Sequence, residues 1–245
     1  MKKIIVFFTF MIFAVSARQI FALEDGSAAG MGIMYSDSPY EGVDSGVSIV
    51  PLLVLEHKRF FIDGSVAGYY FNSSDEKMRF AFLAGPQLNG YSSGDSDILS
   101  GMNDRRSGFD AGVRIKFSND IFDSKLEFVS DISGRHDGSR ARLVISKEIL
   151  KGFLVPKFGI IYSNRRFSDY YYGVRPEEVK PGRPQYSLSS TVDYLLGLRI
   201  GVPLRDNLVL AANIDAVFMS SETEKSPLVN EDYIMRYVLG AVYRF

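Results

Sequence analysis

The residues of this chain that could do chemistry are mostly charged, and they recur at every second position of alternating segments. Phe109, Ala111, Val113, Ile115 and Phe117 lie on one side of their segment, with Asp110, Arg114 and Lys116 on the other. Tyr194, Leu196, Leu198, Ile200 and Val202 are set in the same way against Asp193, Leu195, Gly197, Arg199 and Gly201. Successive side chains of a strand point to opposite faces. Asp110, Arg114, Lys116, Glu127, Asp131, Arg140, Arg142, Lys157, Asp193, Arg199, Asp215, Arg236 and Arg244 therefore share the face opposite the apolar one. Two roles suit such a set. Charges of both signs can pair across a narrow interior and fill it, or they can line a channel that selects solutes. A ring of about ten strands leaves little spare room, which favours pairing.

Other chemistry has little footing. Histidine occurs only at His57 and His136, both between the alternating segments, where each is expected to be a surface residue. A catalytic triad or a metal site needs convergent partners, and none is suggested. No glycine-rich phosphate loop joins a strand to a helix. The chain has no cysteine, which removes disulfides, thiolate metal sites and a lipidated amino-terminus. A net charge of −1 gives no support for nucleic-acid binding. The expectation is a protein that is not an enzyme and holds no cofactor or metal.

The elements that position these charges are strands. Residues 233–245 alternate almost without fault, with Tyr233, Tyr237, Leu239, Tyr243 and Phe245 on the apolar face and Arg236 and Arg244 opposite. Residues 80–88, 109–117, 194–202 and 208–218 alternate as cleanly, each near the ~9–11 residues a tilted spanning strand needs. Segments 47–55, 60–71, 125–132, 140–146 and 154–162 alternate less regularly, in part through Pro51 and Pro156. Residues 28–35 also alternate. Helical periodicity is nowhere sustained, though a short helical turn fits residues 97–102.

At the amino-terminus, Lys2-Lys3, an apolar run over 4–15 and small residues at Ala17 and Ala22 read as a signal peptide over 1–22. The expected mature domain, 23–245, is one closed antiparallel transmembrane β-barrel in the outer membrane of a Gram-negative bacterium. Three long polar connections, 92–107, 164–187 and 219–232, fall on one side when strands are counted back from the carboxy-terminus. Barrels of this class keep long loops outside and short turns in the periplasm. The same count prefers ten strands, with twelve as the alternative if 28–35 belongs to an additional pair.

The connection after Tyr162 contains Asp169-Tyr170-Tyr171-Tyr172-Gly173-Val174-Arg175-Pro176-Glu177-Glu178. It resembles the tyrosine-rich segment of the MltA-interacting protein family, also called MipA/OmpV. Pro39-Tyr40-Glu41-Gly42, Leu99-Ser100-Gly101-Met102, Ser226-Pro227-Leu228-Val229 and the terminal Tyr243-Arg244-Phe245 match other pieces in order. The resemblance implies an outer-membrane barrel. It also implies a scaffold joining a lytic transglycosylase to a peptidoglycan synthase or, in other members, a small-solute pore or osmotic-response channel. Tyr170, Tyr171 and Tyr172 are expected to anchor their loop against the barrel with their hydroxyls in water. Neighbouring basic residues are expected to touch outer-membrane lipid and lipopolysaccharide.

Overall fold

The computed structural model describes residues 27–72, 77–150 and 153–245, and the expected signal peptide over 1–22 lies outside them. Twelve strands follow one another: β1 (Ala28–Ser36), β2 (Gly46–His57), β3 (Phe60–Asp63), β4 (Val66–Tyr70), β5 (Met78–Gln87) and β6 (Gly108–Ser118). The second half holds β7 (Asp123–Asp131), β8 (Ser139–Ser146), β9 (Leu154–Ser163), β10 (Thr191–Arg205), β11 (Leu208–Phe218) and β12 (Tyr233–Arg244). Each pairs antiparallel with its neighbours in the chain, and β1 closes on β12 from Ala28↔Arg244 to Ser36↔Arg236. Closure satisfies the terminal ladders that an open sheet would leave bare to lipid.

Twelve is the larger of the two even counts that the alternation allowed. One strand beyond ten is β1, the segment 28–35. The other arises because residues 60–71 turn back on themselves. The two-residue loop is Gly64-Ser65, between the paired Asp63 and Val66, and Gly64 takes the left-handed φ of 62° that a tight hairpin turn with glycine first needs. The resulting strands have only four and five residues. They reach on the order of 13–17 Å, about half of a hydrocarbon core ~30 Å thick. β2 therefore meets β3 only over Val54–His57, and β5 meets β4 only over Ala81–Ala84.

The outward face is apolar, with aromatic rings gathered near the two ends of the wall. Tyr35, Phe109, Tyr162, Tyr194, Phe218 and Tyr233 stand exposed at the long-loop end, and Phe60 and Tyr243 at the short-turn end. Such girdles mark membrane interfaces. The interior is divided. Ala28, Met34, Val50, Leu52, Val54, Val209, Ala211, Val238 and Val242 form an apolar cluster inside β1, β2, β11 and β12. Charged side chains occupy the rest. β2 alternates poorly in sequence because both its faces are apolar, one toward lipid and one toward this cluster.

Candidate functional site

Inside the barrel, the inward register from the foot of β2 round to β11 brings opposite charges together. The buried Arg114 guanidinium donates to Glu127 Oε1 from Nε at 2.7 Å and to Asp63 Oδ2 from Nη1 at 3.1 Å, and it stacks 4.9 Å from the Phe61 ring. Lys125 approaches the same Glu127 oxygen at 3.8 Å. Lys157 Nζ lies 2.7 Å from Asp215 Oδ1 and donates to Asn213 Oδ1 at 2.8 Å. Arg140 reaches Asp110 Oδ2 at 3.2 Å and Gln87 Oε1 at 2.8 Å, above the Phe167 ring. Arg79 pairs with Glu56 at 2.9 Å and lies over Tyr70. A charge removed from water needs such partners to offset desolvation.

Lys116, Arg236 and Arg244 also face inward and have partners. Arg142 and Arg199 differ. Each has a buried Nε without a partner, and neither makes a hydrogen bond or ion pair with any described residue. Sequence reasoning left out Glu56, Asp63, Arg79 and Lys125. Glu56 lies beside, and Asp63 within, the unrecognised β3–β4 hairpin, whereas Arg79 and Lys125 stand at strand starts whose parity was readable.

Above the charges sits a cap built from residues 37–45, 88–107, 164–190 and 219–232. The helix α1 (Arg165–Tyr172) begins at Asn164, whose Oδ1 accepts the Phe167 N–H at 3.1 Å. It ends at Gly173, where a Cβ would lie 2.4 Å from the Asp169 carbonyl oxygen. Tyr40, Tyr91, Leu99, Met102, Val174 and Leu228 form the apolar core of the cap. Five of these six come from the segments that carry the family resemblance, so pieces far apart in sequence converge here.

One buried ion pair ties the cap together. Arg105 Nη2 meets Glu178 Oε2 at 2.8 Å, with both side chains 1% exposed. Arg105 Nε donates to the Tyr170 carbonyl at 2.7 Å. Glu178 also accepts from the backbone N–H groups of Asn103 and Arg175, both at 3.0 Å. Burial alone would raise the Glu178 carboxyl, but the Arg105 hydrogen bond and those N–H groups outweigh it and hold the group at about 2. Arg183 is wholly enclosed and donates to the carbonyls of Glu178, Ser100 and Ile98.

Tyr171 is fully buried against Phe167 and His136, and its hydroxyl donates to the Arg106 carbonyl at 3.4 Å rather than to water. Burial pushes this phenol well above its ordinary range. Tyr170 receives the Arg106 N–H on its hydroxyl, and the Tyr172 carbonyl accepts from Ser226. Lys180 and Arg183 use their donors within the cap, while Arg165, Arg166 and Arg175 remain exposed.

The expectation of a surface residue fails at His136, which is 4% exposed. Its Nδ1 accepts the Gly138 N–H at 3.0 Å, so Nε2 carries the proton and donates to Asp110 at 3.2 Å. Asp110, Asp131 and His136 lie close enough to suggest a metal. Asp131 instead caps its turn, accepting backbone N–H groups from Ser133, Arg135, His136 and Asp137. These hydrogen bonds account for the cluster as structure. His57 is exposed at the end of β2.

Between the cap and the paired charges lies a cavity of about 240 Å3. Comparison with known proteins places this architecture. The profile of a family described as MltA-interacting protein MipA matches residues 29–245. Putative outer membrane protein YiaT of Escherichia coli (strain K12) is 25% identical over 230 residues, covering 88% of this chain and 89% of the relative. Outer membrane protein OmpV of Vibrio cholerae is 24% identical over 258 residues, covering 100% and 99%. Among solved structures, a Pseudomonas aeruginosa FadL homologue aligns at 9% identity and a TM-score of 0.45, covering 93% of this chain and 92% of the other.

Proposed function

This chain belongs to the MltA-interacting protein MipA family and is an outer-membrane β-barrel protein, and on that premise we propose that it is a non-enzymatic scaffold for peptidoglycan-remodelling enzymes. Its partners would be a lytic transglycosylase, of the kind the family description names, and a peptidoglycan synthase. The observation that carries the reading is the periplasmic rim. Ile121 is 66% exposed in the β6–β7 turn, Leu150 is 70% exposed in the β8–β9 turn and Leu204 is 54% exposed at the foot of β10. Leu150 also holds a left-handed φ of 53°, a conformation that costs a leucine roughly 1–2 kcal/mol. An exposed apolar side chain kept in that conformation fits a contact surface better than a plain turn.

The paired charges and the inner apolar cluster support a plug-like interior rather than an open pore. The competing reading, a small-solute or osmotic-response channel, draws on the cavity and on Arg142 and Arg199. Lipopolysaccharide phosphates at the outer leaflet would meet Arg165, Arg166 and Arg175, three of the exposed cations of the cap.

Two measurements separate the readings. Cross-linked recovery of a transglycosylase from envelopes, lost in an Ile121→Asp, Leu150→Gly double variant that still folds, supports the scaffold. Stable conductance steps in planar bilayers that change with Arg199→Glu, with no enzyme recovered, overturn it in favour of the channel.

A further inference from the structure

We propose that the barrel wall has a lateral portal above the β3–β4 hairpin, through which a small amphipathic anion, an apolar chain ending in a carboxylate, passes from the outer leaflet into the lumen cavity. The portal stands on strand register and cavity shape, independently of the scaffold reading.

The register defines the gap. The Gly64 N–H donates to the Leu53 carbonyl at 2.8 Å, so the odd-numbered residues of β2 turn their backbone groups toward the hairpin. Beyond Leu53 the next such residue is Pro51, which has no N–H to leave bare. On the other side, the Phe71 N–H donates to the Phe80 carbonyl at 2.8 Å, so the even-numbered residues of β5 face the hairpin. Above the hairpin that position is Pro86. Both prolines thus remove a donor where no described strand pairs with the edge, which is where sheets tolerate proline. Ile49, two residues beyond Pro51, still carries an N–H and a carbonyl on that edge. Bare backbone is not stable against hydrocarbon and persists where it lines a polar cavity. A gap that communicates with the lumen meets this condition.

The cavity reaches the gap. Val66, Gly85 and Pro86 line it on the portal side, while Val129 and Ile161 give it an apolar wall farther in. Arg142 lines it as well, with no described hydrogen-bond or ion-pair partner. A carboxylate would supply the two acceptors that its guanidinium lacks. At about 240 Å3 the space suits one short chain rather than a phospholipid.

The chain contains no tryptophan, so a Tyr172→Trp variant carries a single indole, selectively excitable over the tyrosines, at the cavity wall. The protein is placed in phosphatidylcholine nanodiscs and titrated with 11-bromoundecanoate, whose bromine quenches indole emission. Saturable quenching is expected. Adding Arg142→Gln should weaken it roughly tenfold or more, with Arg142→Lys in between. Val66→Phe, which narrows the portal, should slow the onset of quenching without abolishing it. All variants are first required to migrate as folded, heat-modifiable barrels. Saturable quenching by water-soluble bromoacetate would reduce the site to a plain anion site and overturn the proposal. So would quenching that ignores Arg142→Gln, an onset indifferent to Val66→Phe, or no saturable quenching at all.

Discussion

Glu178 is the residue on which the cap turns, because its carboxylate receives Arg105 and two backbone donors while enclosed. Its carboxyl sits at about 2 in the folded protein against an ordinary 4.5, so the ionised form stabilises the cap. That contribution is complete above pH 4.5 and is lost as pH falls from about 4.5 to about 2. Hydrogen exchange should therefore show cap amides near Asn103 and Arg175 opening in that window while barrel amides stay protected. Protection unchanged down to pH 2 would refute this. Replacing Glu178 with Leu leaves Arg105 buried without its carboxylate and should loosen the cap by about 3–5 kcal/mol at neutral pH, read as protease cleavage in residues 164–190. At this scale the sequence was legible as parity: inward and outward side chains could be told apart wherever alternation held. Burial of His136 was not, because Phe167, Tyr170 and Tyr171, which pack on it, come from the connection beyond β9.

At the level of the strand, neighbouring positions of β10 should lose stability for different reasons. Leu198 faces lipid, and Leu198→Arg should cost about 2–4 kcal/mol if it lies near the bilayer midplane. Gly197 faces the interior, where a Cβ would meet Asp215 Oδ1 and Lys157 Cε, each at 2.3 Å. Gly197→Ala must therefore displace the Lys157–Asp215 pair, although it adds only a methyl group. Equilibrium unfolding in lipid vesicles should show both variants destabilised, with Lys157→Met relieving part of the Gly197→Ala loss and none of the Leu198→Arg loss. The strands themselves were readable from periodicity. The β3–β4 hairpin was not, because a segment apolar on both faces hid the Gly64-Ser65 turn. Helix α1 escaped notice because eight residues are too few for a periodic signal, although Asn164 marked its start.

For the whole molecule, the rule that long loops lie outside and short turns in the periplasm predicts an outward-facing cap. A cysteine at Glu177, which is exposed beside the buried Glu178, should react in intact cells with an impermeant thiol reagent, and no native thiol competes. Labelling only after the outer membrane is opened would invert the molecule. The motifs of family resemblance were legible one by one, but only the closed ring brings them to one mouth. The same ring has a kinetic side. Its seam joins Ala28 to Arg244, so the first and last strands to be synthesised must find each other before any edge is satisfied. Contacts of such sequence separation form late and slowly. Through that interval the chain crosses an aqueous compartment with β1 unpaired and every lipid-facing side chain in water, so its survival depends on being held rather than on folding fast. A chain ending before β12 would make no smaller barrel: it would keep two open edges, on β1 and β11, and should aggregate instead of inserting.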